Sequence, residues 1–133
     1  MLQLIDLFQA QDVEITFAST AGSSEYSTDL SRMRISVVSI ELNSNSFNAF
    51  LEQLQPEIVL FDRFVTEEQF GWRVAETCPN ALRILDTEDL HFLRKAREEA
   101  FKKGVPMNEV NLFTETAKRE LASIWRCDLS LLI

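Results

Sequence analysis

Apolar residues open the chain at Met1, Leu4, Ile5 and Phe8. That is the i, i+3, i+4, i+7 spacing of one helical face, and it predicts an amphipathic helix ending near Gln11. VEITFAS, residues 13–19, then reads as a strand, and the polar stretch from Thr20 to Asp29, with Gly22 inside it, reads as a loop or a short helical turn. ISVVSIEL, residues 35–42, is rich in β-branched residues and predicts a second strand. After a polar turn over residues 43–46, Phe47, Phe50, Leu51 and Leu54 repeat the helical spacing, and Pro56 ends that helix because its ring cannot continue the hydrogen-bond ladder.

The second half alternates strand and helix more plainly. EIVLFD, residues 57–62, has a continuous apolar centre from Ile58 to Phe61, the pattern of a strand buried on both faces. Thr66 and Gln69 have the spacing of a capping box, so a helix is predicted to open at Thr66, run to Cys78 and stop at Pro79. ALRILD, residues 81–86, is a fourth strand. Asp86 or Thr87 is placed to cap the next helix, which closes on Gly104 after Lys103. A further long helix is predicted from Asn108 to Trp125, and DLSLLI, residues 128–133, is a short last strand. Strands alternating with helices imply parallel pairing and right-handed crossovers. The expectation is therefore one Rossmann-like α/β domain over residues 1–133, with a mostly parallel sheet and helices on both faces.

Composition narrows the partners. With 133 residues the chain is the size of one domain, and ten Phe supply much of its core volume. Its formal net charge of −8 repels phosphate backbones and anionic bilayer surfaces, so nucleic acid and lipid surfaces are poor partners. No apolar run approaches the roughly 20 residues that span a bilayer, and the N-terminus lacks the basic and small-residue features of a signal peptide. Cys78 and Cys127 show no metal-ligand spacing and read as two free thiols in a reducing cytosol. The expected location is thus cytoplasmic. The three glycines are scattered, so there is no Gly-rich phosphate loop, and no cofactor or metal is expected.

Ligands of open α/β sheets bind beyond the carboxyl ends of the strands. Ser19 and Thr20 follow the first strand, and Asp62 and Arg63 follow the third. Asp86, Thr87, Glu88 and Asp89 follow the fourth, with His91 just inside the next helix. The acids can act as a general base or bind sugar hydroxyls, and His91 is the chain's one imidazole, a side-chain type suited to proton transfer. The same acids also suit a helix first turn, and Asp62 with Arg63 also suits a local ion pair. Trp72 and Trp125 sit at helical spacing among apolar residues and read as core or interface packing. The run REEAFKK, residues 97–103, reads as a solvated helix face.

The stretch PEIVLFDRFVTEEQFGWRVAETCPNALRILDTEDLHFLRKAR, residues 56–97, resembles the N-terminal half of two-domain, GT-B-type glycosyltransferases. FDRF, EEQFGWRV and RILDTEDLHFLR carry the likeness, and KRELASIWRCDLSLLI and LQLIDLFQAQDVEITFAS extend it over most of the chain. Order and spacing match, rather than any one short motif. In that family the N-terminal Rossmann-like domain binds the acceptor, a second domain binds the nucleotide-sugar donor, and transfer occurs in the cleft between them. Carried over by position, the resemblance implies Glu88, Asp89 and His91 as catalytic candidates. It implies Asp62, Arg63, Asp86 and Thr87 as substrate contacts, with a sugar or lipid acceptor as ligand. The chain departs from the pattern at both ends. The resemblance leads us to expect a first strand with its Gly-rich turn ahead of Met1 and a donor domain beyond Ile133, neither of which is among residues 1–133. The expectation is an acceptor-side domain truncated at both ends and inactive alone, whose bare strand edges rearrange or pair two copies into a homodimer. The alternative is a non-catalytic protein-interaction or regulatory α/β module, as a dimer.

Overall fold

The computed structural model describes residues 2–22 and 30–132. Met1 of the predicted first helix, residues 23–29 of the predicted loop and Ile133 of the predicted last strand lie outside them. The chain forms two compact units, Met1–Ala49 and Phe50–Ile133.

In the first unit, helix α1 spans Leu2–Gln9, strand β1 Thr16–Ser19 and strand β2 Ser36–Ser39, with a 3-10 turn at Leu30–Met33. Ile5 is buried and Leu4 and Phe8 are half-buried, as the spacing predicts, while Leu7 on the other face is exposed. The two strands pair in parallel, from Thr16 beside Ser36 to Ser19 beside Ser39. β1 starts three residues later than predicted. The amide of Val13 is spent on the carbonyl of Phe8 at 3.3 Å, and Asp12 turns the chain at φ 56°, so these residues close α1 rather than join the ladder. Helix α2, Ser46–Leu54, carries the chain across the boundary and buries Phe47 and Leu51.

The second unit is built on three strands: β3 (Ile58–Asp62), β4 (Leu82–Asp86) and β5 (Leu129–Leu131), in the order β3-β4-β5. Every pairing is parallel, so the α/β class and the parallel sheet are as predicted. Helix α3 (Arg63–Thr77) connects β3 to β4. Helices α4 (His91–Lys103) and α5 (Glu115–Arg126) connect β4 to β5. Phe61, Ile84 and Leu85 from the strands and Phe64, Phe70 and Val74 from α3 are among its large buried residues. Gly104 ends α4 in the left-handed conformation at φ 65°, as predicted, and a smaller cluster of Ala96, Ala100 and Val110 forms behind it.

Four readings are corrected. α3 opens at Arg63, directly after β3, so Thr66 lies inside the helix and the Thr66–Gln69 capping box is not used. α4 takes no side-chain cap from Asp86 or Thr87, because its N-cap is Leu90. α5 begins at Glu115 instead of Asn108. Met107–Glu109 forms a separate 3-10 turn, the Asn111 side chain accepts from the Phe113 amide at 2.9 Å, and Thr114 caps the helix by accepting from the Ala117 amide at 3.2 Å. Neither tryptophan is core: Trp72 is half-exposed beneath the Arg73 guanidinium, 4.4 Å from its ring centroid, and Trp125 is 86% exposed.

Candidate functional site

Two turns at the carboxyl ends of β3 and β4 make the site. The strands pair in register up to Asp62 beside Asp86, so whatever follows each strand emerges at the same level. β3 passes into α3 with no loop between them, and Arg63 absorbs the change of direction at φ 67°. After β4, Glu88 does the same at φ 55°. Non-glycine residues in this region are uncommon, and they gather where surrounding structure holds a functional turn in place.

The β4–α4 turn is tightly tied. The Glu88 amide donates to Asp86 Oδ1 at 3.1 Å, and the Asp89 amide donates to the Thr87 carbonyl at 2.7 Å. Thr87 gives both its amide and its hydroxyl to the Leu131 carbonyl, at 3.1 and 2.9 Å, which anchors β5. Asp86 and Thr87 are each 1% exposed, so the structure buries these two predicted contacts, whereas Arg63 and Glu88 are exposed and Asp62, Asp89 and His91 half-exposed.

Arg63 ties the two turns together. Its guanidinium donates to Asp62 Oδ2 at 3.1 Å and lies 3.8 Å from Glu88 Oε2. The hydrogen bond to Asp62 pushes its pKa up, so it is a fixed cation. The other oxygen of Asp62, Oδ1, is buried and has no hydrogen-bond partner among the described residues. A buried acceptor in that state is rare enough to call for an explanation.

His91 sits at the first position of α4 with its ring 16% exposed. Its Nδ1 lies 3.3 Å from Glu120 Oε1 and 3.6 Å from Asp89 Oδ1, and Phe64 meets the ring edge-on at 5.4 Å between centroids. Asp89 is also paired with Arg94 at 3.3 Å. Glu120 arrives from α5 and is 1% exposed. Its two oxygens accept from the amides of His91 and Phe92, each at 3.0 Å, so this one carboxylate serves the helix end that Asp86 and Thr87 leave uncapped.

The structure thus brings Asp62, Arg63, Glu88, Asp89 and His91 into one rim. Ser19 and Thr20 belong to the first unit. Glu120 and Phe64 are neighbours of this rim that strand-end reasoning does not reach. The available signal was Glu120 itself: an acid three residues from Ala117 and three from Ser123, on the buried face of α5. Burial pushes the Cys127 thiol up to about 11, and both cysteines are free. Among the described residues no group of side chains is arranged to hold a metal ion, and no helix is long and apolar enough to cross a membrane. Comparison with known proteins finds no family model, no curated protein and no solved structure that matches the chain.

Proposed function

We propose that this chain is the acceptor-side domain of a two-domain, nucleotide-sugar-dependent glycosyltransferase, and that the rim at β3 and β4 receives a hydroxyl of a sugar or lipid acceptor. The observation that carries the reading is the imidazole of His91, held at the sheet's carboxyl edge with Nδ1 3.3 and 3.6 Å from two carboxylates. A base flanked in this way suits removal of a proton from a bound hydroxyl. The hydroxyl oxygen bonds to the anomeric carbon, the imidazole takes its proton, and the nucleotide leaves with the electrons of the broken glycosidic bond. The donor belongs to a second domain in this reading, and the rim supplies the acceptor half alone. Asp62 Oδ1, buried and unpartnered among the described residues, fits a ligand rich in hydroxyl donors, and Glu88 and Arg63 beside it add an acceptor and a donor.

The test is an NMR titration of the labelled chain with a panel of mono- and disaccharides, soluble lipid-linked sugars included. Shifts confined to the amides of residues 62–63 and 86–92, weakened about tenfold or more by Glu88→Ala and Asp62→Ala, are expected. A rim silent to the whole panel sinks the reading. Trp125, Phe113 and Phe101, at 86–88% exposed, favour a second reading as a protein-interaction module. In that case Trp125→Ala lowers the sedimentation mass at high concentration and the rim stays silent.

A further inference from the structure

We propose that Glu120 is a positioning residue that fixes His91 in the Nδ1–H tautomer, so that Nε2 carries the free lone pair. The base role of Nε2 rests on the acceptor reading above, whereas the tautomer does not.

An ionised carboxylate can only accept hydrogen bonds, so the ring nitrogen facing it must carry the proton. Among the described residues, the hydrogen bond and ion pairs of the His91 ring run through Nδ1, to Glu120 Oε1 at 3.3 Å and Asp89 Oδ1 at 3.6 Å. The two partners differ in how firmly they are held. Glu120 is 1% exposed and pinned by two backbone amides at 3.0 Å, so its oxygen stands still against the ring. Asp89 is 40% exposed and shares its carboxylate with Arg94. The edge-on contact with Phe64, at 76° between planes, opposes rotation of the imidazole. Free imidazole side chains favour the opposite tautomer in water, so the arrangement inverts a preference, as carboxylates do behind metal-bound histidines. Its consequence is chemical: the acceptor nitrogen becomes the one turned away from both carboxylates.

The chain holds one His, so its imidazole gives a single set of signals in a long-range proton–nitrogen correlation spectrum of nitrogen-15-labelled protein. The spectrum is recorded at about pH 9, where an ordinary imidazole is neutral. The expected wild-type result is a protonated Nδ1 and an unprotonated Nε2. Glu120→Gln, with its circular dichroism unchanged, should shift the ring to a mixture dominated by Nε2–H. Asp89→Asn should leave the wild-type tautomer in place. Three results overturn the proposal: Nε2–H in the wild type, an unchanged tautomer in a folded Glu120→Gln, or loss of Nδ1–H in Asp89→Asn. If Glu120→Gln does not fold, the wild-type and Asp89→Asn spectra still decide. A correct tautomer with a rim silent to saccharides would retain Glu120's role and discard the acceptor.

Discussion

Glu67 lays its carboxylate across the backbone of α3 at Gly71, so closely that a β-carbon at position 71 would stand 2.5 Å from Oε1. The glycine is what lets a buried acid lie along its own helix and reach Arg126 of α5, at distances from 2.5 to 3.1 Å. Ordinarily alanine in place of a helical glycine stabilises by about 1 kcal/mol. Here the added methyl must displace a carboxylate that is 3% exposed and held by two guanidinium nitrogens. Crowding of this kind costs about 1–3 kcal/mol, and a broken buried pair more. Gly71→Ala is therefore expected to destabilise by about 1–3 kcal/mol in urea unfolding. A stabilised variant would mean that the carboxylate moves aside freely.

The two glutamate–arginine pairs between α3 and α5 look alike but should differ in worth. Glu68 and Arg119 meet at 2.6 Å with side chains 23% and 54% exposed, a surface pair that water screens and that contributes little. Glu67 is buried, so removing Arg126 strands a charge. The full penalty for that is about 3–5 kcal/mol, and the half-exposed arginine lowers it to about 2–3. Arg126→Met should then lower stability by at least about 1 kcal/mol more than Arg119→Met. Replacing Glu67 and Arg126 together by methionine should recover most of the loss. Equal losses from the two single variants would show that burial does not separate the pairs.

What the amino-acid pattern revealed of this protein follows the range of the forces involved. Gly104 and Pro79 act on their own backbone, so the ends of α4 and α3 were readable from single residues. β3 does pair in parallel, but the burial on both faces that its apolar run suggested is not met, since Phe61 alone of Ile58–Phe61 is buried and Ile58 is exposed. Thr66 misled because a capping box describes only four residues, whereas the start of α3 is set by where β3 ends. The rim residues were readable because strand ends in a parallel sheet converge. Glu120 was not, since its partner His91 lies 29 positions away and only the packing of α5 on α4 joins them. Glu67 escaped in the same manner, 59 residues from Arg126.

Asp128 gives the fold a dependence on acid pH whose sign is determined. Its Oδ2 accepts from the Arg83 amide at 2.9 Å and lies 3.5 Å from the Arg83 guanidinium, while its own amide donates to the Arg83 carbonyl at 2.9 Å. The carboxylate thus fastens the entry of β5 to β4. The hydrogen bond from the Arg83 amide, with the nearby guanidinium, holds its pKa below the usual carboxylate range. A depressed folded pKa means that the ionised form is favoured by folding. Its contribution is complete above the unfolded value of about 3.9 and fades as pH falls through the folded one. Asp128→Asn keeps an acceptor for the amide but loses the charge. Wild type should melt above Asp128→Asn at pH 7, and the gap should narrow only below about pH 4, closing as the native carboxyl is protonated. A gap that stays constant down to about pH 2 would assign the effect to the neutral hydrogen bond alone. A gap already closing near pH 5 would mean that the carboxylate is not held by Arg83 in solution.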